Sequence, residues 1–350
     1  MPTNKPLRLL CWEGYDAPDY LKLLKTQGIE LDVETLLSDA AAAQRLIVGD
    51  HRNWDLININ NAYVRNCLEP KGLIKPLEAD QFSGYADNIH PIYQPLMPWS
   101  YNSQSQLIGI GQRFGPFNLV VNTDVLSIET AQDQGFKLAN NADFNQRYGI
   151  LDYPDFNAFH FCIGAGLNPF EPLIPSQLLR FEQLAQRWYS NAKQVETDHH
   201  ILNQALVDGE IDFYISGGVY TASPARLAGH QNIRAITPNS GPINGKGGIV
   251  FSEINSVFNH EGVSPNAERF LHTLLQPEAA IKIAFIDGTC NPVAQMGDPQ
   301  VFKAFTTPQL SAIQWEGLAE DLSRCAAYQI PPNNTELLAI LAKHRPPHVT

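Results

Sequence analysis

Basic residues are scarce in this chain. Lys and Arg number 24 against 36 Asp and Glu among 350 residues, a formal net charge of −12. A nucleic-acid partner needs clustered cations at its phosphates, so this balance argues against one. It is compatible with a cationic ligand, and equally with solubility alone. Long apolar runs are lacking too: no stretch approaches the ~20 residues that a membrane span needs. The opening MPTNKPLRLL holds one Lys, few apolar residues and no small-residue cleavage site, so no signal peptide is read in it. Cysteine is sparse and unpatterned. Cys11, Cys67, Cys162, Cys290 and Cys325 form no C-x-x-C pair, which removes zinc-ribbon and thioredoxin-like readings. Their wide spacing suits buried free thiols, with one disulfide open to an oxidising compartment.

Catalytic signatures are also missing. There is no G-x-x-x-x-G-K-[ST] and no G-x-S-x-G. GIGQRFG at 109 to 115 places its third glycine one position late. Pro116 and a strand follow it, not the helix N-terminus that a phosphate requires. His199 and His200 are adjacent, so a helix would turn them to different faces, whereas metal ligation wants i, i+4. His160 sits between Phe159 and Phe161 and reads as a core histidine. Asp152 and Asp155 are too ordinary a pair to mark acid–base chemistry. No catalytic residue, metal ligand or cofactor is expected.

What the chain does have is a strand–helix rhythm. LRLLCW, IELDVETLL and WDLININ read as strands, separated by helices in APDYLKLLKTQG and SDAAAAQRLIVG, the latter with Ser38 as N-cap. AYVRNCLEPKGLIKPL gives a short helix and a loop. FNLVVNTDVL, RYGILDYP, DFYISGGVY, IRAITP and GGIVFSEINSVF are further strands. PSQLLRFEQLAQRWYSNA is an amphipathic helix, and HHILNQALVDGEID a helix capped by Asp198. A helix pair broken at Pro277 and two final helices, LAEDLSRCAAY and TELLAILAKHR, complete the chain. This alternation predicts an α/β fold on a mostly parallel, open sheet. No Gly/Ser linker occurs, so two lobes would be joined by strand-like crossovers. LIGIGQRFGPFNLVV and NSGPINGKGGIVF are the candidates.

Aromatics, amides and glycines recur at the ends of these strands: Trp12, Glu13, Tyr15; Asn60, Asn61; Arg113, Phe114; Asp152, Tyr153; Ser216, Gly217, Tyr220; and Lys246. In open α/β sheets ligands bind beyond the carboxyl ends of strands, so these residues are the candidate ligand-binding set.

In LLCWEGY, WDLININNAYV, RFGPFNLVVNTD, LVDGEIDFYISGGVYTASPARLAG and FLHTLLQPEAAIKIAFIDGTCNPVAQ, taken in order, the sequence resembles the substrate-binding proteins of bacterial ABC importers, the spermidine/putrescine-binding type. The resemblance spans nearly the whole chain at the level of short motifs. It implies a two-lobe periplasmic-binding-protein fold (type II-like) with hinge strands, closing on a ligand that touches both lobes. The boundaries expected are 1–112 for the first part of lobe one, 113–246 for lobe two and 247–350 for a return to lobe one. It further implies a monomeric, periplasmic protein, its leader peptide absent from this sequence, that works with a membrane permease. The function is then solute capture, not catalysis.

Trp12 and Tyr15 fall on the family's aromatic clamp. Other positions depart from it. The family's Ser-x-Tyr falls on Asn60 and Ala62, its lobe-two acids fall near Tyr153 and Phe156, and its cleft Trp falls on Ser216. A long polyamine would lose most of its partners, while Arg113 and Lys246 flank the crossovers. An Arg suits a bidentate carboxylate contact, so the expected ligand is a small amine or zwitterion such as γ-aminobutyrate, its amine on Glu13 or Asp152. The alternatives are a two-lobe α/β enzyme such as a transferase, or a soluble ligand sensor.

Overall fold

The computed structural model describes residues 5–347. Its ten strands are β1 (Leu7–Cys11), β2 (Leu31–Thr35), β3 (Leu56–Asn60), β4 (Ile110–Asn122), β5 (Tyr148–Leu151), β6 (Gln194–Glu196), β7 (Phe213–Gly218), β8 (Ile233–Ile236), β9 (Gly248–Val257) and β10 (Cys325–Ala327). The chain divides into two compact units. One holds the chain up to Phe114 and Phe251–Thr306; the other holds Gly115–Val250 and everything from Thr307 on. Two long buried strands, β4 and β9, carry the backbone from one unit to the other. These are the crossovers expected from their sequence.

The expected boundary at 247–350 differs from this division, in which residues from Thr307 on group with Gly115–Val250. The physical reason is packing within that unit. The helix Asn334–His344 lies on the helices Pro154–Gly164 and Pro175–Asn191, and Asn333 Oδ1 accepts from the Leu173 N–H at 2.7 Å. A strand also replaces part of a predicted helix. Residues 325–327, read within LAEDLSRCAAY, leave the helix Trp315–Ser323 and pair with Gly248, Ile249 and Val250.

In the first unit β1 runs parallel to both β2 and β3, and β9 pairs antiparallel with β3. In the second, β5 runs parallel to β6 and β7, while β4 is antiparallel to β7 on one edge and to β8 on the other. Each sheet is therefore parallel except where a crossover strand joins it. Parallel strands need a return crossover, and the helices supply it. Both faces are covered, so β3, β4, β7 and β9 are buried along their whole length.

The first two glycines of GIGQRFG serve close approach. A Cβ on Gly111 would overlap the hydroxyl of Tyr93, and one on Gly109 would overlap Ser256. The five cysteines are all free thiols, four of them buried.

The start of β3 is pinned by Asp55, which accepts from the Arg8 backbone N–H at 2.9 Å, from its guanidinium at 3.1 Å, and from the Ser264 N–H at 2.9 Å. Burial pushes this carboxyl up, but the hydrogen bonds and charge of Arg8 and the Ser264 N–H outweigh it and hold it below the usual aspartate range. A depressed carboxylate stabilises the fold above its unfolded pKa and loses that contribution as pH falls through the folded one. Asp55→Asn is expected to cost about 1–3 kcal/mol at neutral pH, with Arg8 partly exposed and so partly screened. Urea unfolding should show that difference at pH 7 and its shrinkage below pH ~4.

Candidate functional site

Three strands of the first unit bring polar side chains to one place. Side chains alternate along a strand, so Asn58 and Asn60 share one face of β3. The register sets Asn60 opposite Glu253 and Asn58 opposite Asn255 on β9. Four polar residues therefore meet on one face of two buried strands, where apolar residues are the rule. Gln112 and Arg113 of β4 reach the same set.

Arg113 and Glu253 form the centre. Nε of Arg113 donates to Glu253 Oε2 at 3.0 Å, with both side chains buried. The guanidinium lies 5.2 Å from the centroid of the Tyr15 ring. Burial works against the Arg113 charge, but the Glu253 carboxylate and the Tyr15 oxygen more than restore it, and the group stays charged. Burial pushes the Glu253 carboxyl up, and Arg113 offsets only part of that. Arg113 is thus not the uncompensated cation that the sequence suggested. Glu253 neutralises it and orients it, while its two terminal nitrogens make no hydrogen bond among the described residues.

Around this pair runs an amide network. Tyr15 donates its hydroxyl proton to Gln112 Oε1 at 2.6 Å and accepts from Asn58 Nδ2 at 3.0 Å; Asn255 Nδ2 lies 3.3 Å from that Gln112 oxygen. The network leaves atoms over. The carbonyl oxygens of Asn58, Asn60 and Asn255 and the Nε2 of Gln112 are buried without a hydrogen-bond partner. A buried polar atom without a partner costs about 1–3 kcal/mol, and here four occur within a few residues of one ion pair.

The aromatic expectations change. Tyr15 is 0 % exposed. Its face carries Arg113 and its edge meets Tyr20 at 6.0 Å, so it supports the network and is not a free clamp. Trp12 is 7 % exposed, and its indole N–H donates to Asp39 Oδ1 at 2.9 Å. Asp39 opens the helix Asp39–Ile47, where a carboxylate is favoured, and also accepts from Asn60 Nδ2 at 2.7 Å. Glu13 is half-buried beside them, and Asn61 is buried at the end of β3. Phe114 is buried edge-on against Tyr93 at 5.0 Å.

The second unit holds the remaining candidates. Asp152 is engaged by Arg345, whose Nη1 donates to its Oδ2 at 3.0 Å, so the carboxylate expected to take an amine already carries a cation. Tyr153 and half-buried Tyr220 stack on Phe117, at 5.9 and 5.7 Å, and His199 meets Tyr220 edge-on at 5.9 Å. Ser216 and Gly217 are core residues. Ser216 is the extra residue of a β-bulge in β7 against β4, with φ +67°. Its Oγ lies 2.8 Å from His160 Nδ1 and 2.5 Å from Asn157 Oδ1. A Cβ on Gly217 would overlap Tyr214. Lys246 is exposed, and its ammonium donates to the Cys325 carbonyl at 2.8 Å.

His160 and Ser216 have the spacing of a base and a nucleophile but not the chemistry. His160 Nε2 donates to the Phe117 carbonyl at 2.8 Å, and burial lowers its pKa to about 3. Both side chains are buried, and the Ser216 hydroxyl is also shared with Asn157.

The sequence reading missed Asp39, Asn58, Gln112, Glu253 and Asn255. A signal was present. LININ and SEINSV both alternate amide or acid with isoleucine inside strands expected to be buried on both faces.

Glu253→Gln would leave the Arg113 charge buried and unpaired, and is expected to cost about 3–5 kcal/mol in denaturant unfolding. Replacing both partners, Arg113→Met with Glu253→Leu, should recover most of that loss. A single variant within 1 kcal/mol of the parent would remove the ion pair from this role.

Residues 22–312 match the family model described as bacterial extracellular solute-binding protein. No curated protein sequence matches the chain. Among solved structures, the chain is similar to the spermidine/putrescine ABC transporter substrate-binding protein PotD of Streptococcus pneumoniae, with TM-score 0.66 and 15% identity over 98% of this chain and 100% of that one. It is also similar to the TpPotD lipoprotein of Treponema pallidum, at 0.66 and 14% over 97% and 99%. The PBP MotA of A. tumefaciens, solved with glucopine, gives 0.64 and 14% over 96% and 100%. Likeness at such low identity establishes the fold, the α/β architecture of periplasmic binding proteins.

Proposed function

Since the chain belongs to the bacterial extracellular solute-binding proteins, we propose that it captures a small amine-bearing zwitterion for an ABC importer. The buried Arg113–Glu253 pair, ringed by partnerless amide atoms, carries this reading. Three amide oxygens, from Asn58, Asn60 and Asn255, offer acceptors to an ammonium group. The terminal nitrogens of Arg113 offer a planar fork to a carboxylate. Glu253 cancels the arginine's charge, so the pair is neutral overall. A polycation would have to seat an ammonium group against the buried Arg113 guanidinium, whereas a molecule with one charge of each sign gives that fork a carboxylate and the amide oxygens an ammonium. γ-Aminobutyrate and the α-amino acids fit this description better than spermidine does. The protein acts outside the cytoplasmic membrane as a monomer and hands its solute to a membrane permease. Trp12 and Glu13 border the amide set, and Tyr153 and Tyr220 are the second unit's aromatic candidates.

A thermal-unfolding screen of amino acids, γ-aminobutyrate, putrescine and spermidine tests the reading. The right zwitterion should add about 2.7 kcal/mol at a hundredfold excess over Kd. Stabilisation by polyamines alone would replace it with a polyamine reading. Silence across the whole set would remove it.

Asn58→Ala should weaken the zwitterion by roughly tenfold or more, through loss of an acceptor worth about 1.5–3 kcal/mol to a charged donor. Trp12→Phe is the informative aromatic variant, because Trp12→Ala would also open the core beneath it. Calorimetric titration of both, checked against their unfolding curves, separates binding from folding. Unchanged affinity in Asn58→Ala would exclude that amide from the site.

A further inference from the structure

We propose that the second unit carries a separate binding site for a small organic or inorganic oxyanion, built on Arg226 and Arg234. Both arginines line a cavity of about 440 Å³ within that unit, a volume in the range of small-molecule sites. Arg226 projects from the helix Val219–Leu227 and Arg234 from strand β8. The rest of the lining comes from the helix Thr307–Ala312, from Gln314 and from the first turn of the helix Trp315–Ser323.

The charge pattern carries the inference. Neither guanidinium has a carboxylate within ion-pair distance among the described residues. Arg226 is 4 % exposed and bonds only to uncharged oxygens: the carbonyls of Gln231 at 2.8 Å and Ile233 at 3.0 Å, and the carbonyl and hydroxyl of Ser311 at 3.0 and 3.4 Å. These bonds fix its orientation without neutralising it. Burial, with the charge of Arg234 added, lowers its pKa to about 10. Arg234 is held less firmly, and its Nε is buried with no hydrogen-bond partner. A buried cation beside a second, half-buried one, with no counter-ion on either, is destabilising, and in a chain with a surplus of acids an ion pair would have been easy to build.

The rest of the lining is held in place. Gln314 sits at φ +54° and pairs both ways with Ala235, its Oε1 accepting from the N–H at 2.8 Å and its Nε2 donating to the carbonyl at 2.9 Å. It thus ties the turn before the helix Trp315–Ser323 to the outer edge of β8, next to Arg234. The N-terminus of that helix borders the cavity, where the helix dipole favours an anion. The one carboxylate on the rim, Glu316, is exposed and makes no ion pair with either arginine. The N–H groups of Arg226 are taken up by the oxygens of Gln231, Ile233 and Ser311, so it contributes charge while the fork of Arg234 is the donor for a planar carboxylate or a phosphate; citrate and inorganic phosphate are the probes.

Isothermal titration of the full chain in low-salt buffer, with citrate and with inorganic phosphate, is expected to show saturable binding at one site per chain. Arg234→Gln should weaken that binding at least tenfold, and because it removes one of two like charges, the thermal midpoint of the unliganded protein should hold or rise. Glu316→Gln, which removes only the opposing rim charge, should tighten it several-fold. Should Arg234→Gln fold poorly, the Glu316→Gln comparison decides the matter. No saturable binding of either probe, or equal binding in the parent and both variants, would overturn the assignment.

Discussion

Taking a guanidinium and a carboxylate out of water costs several kcal/mol per ion unless each answers the other and the remaining polar atoms around them are met. Arg113 and Glu253 impose that condition on the first unit. Their Nε–Oε2 contact needs β4 and β9 at one distance, with Tyr15 presenting its ring to the guanidinium and its hydroxyl to Gln112. The Tyr15 hydroxyl in turn needs Asn58 as donor, and Asn58 requires the register that sets β3 against β9. A slip of one residue in that register would turn Asn58 and Asn60 to the face opposite Glu253 and Asn255. The same network that fixes the fold here also leaves the amide atoms that a ligand would use.

The two groups of arginines differ in what surrounds them. Arg113 has a carboxylate and an aromatic face, and becomes a rigid, neutralised donor. Arg226 and Arg234 have carbonyl dipoles and each other, and remain net positive. Preorganisation with charge balance favours a ligand bearing both signs, whereas uncompensated cations favour an anion. An inventory of charged residues cannot separate these cases; the partners do.

Much of the architecture was legible in the chain. The strand–helix rhythm placed β1 to β5, β7, β8 and β9, and the breaks at Pro277 and the cap at Asp198 stand where local chemistry put them. Short strands without a strong pattern, β6 and β10, were not legible, because three residues hold too little periodicity and are made strands by their neighbours. The assignment of residues after Thr306 to the second unit depended on packing at helices Pro154–Gly164 and Pro175–Asn191, which no local signal encodes.

At the level of function, the sequence by itself determined the class: an acidic α/β chain without catalytic signatures whose motifs, in order, are those of solute-binding proteins. It also placed Trp12, Asn60 and Tyr220 near strand ends, since a strand's direction sets where its side chains emerge, whereas Arg113, expected at a strand end, lies inside β4. Only the tertiary structure decided which of them are available. Tyr15, Phe114, Ser216 and Gly217 are enclosed, Asp152 is held by Arg345, and Lys246 by a carbonyl. Glu253 and Asn255 lie about 140 residues beyond Arg113 and Gln112, and only strand pairing brings them together. A side chain's type is a local property, but whether its charge and its hydrogen bonds are already met depends on residues distant in the chain.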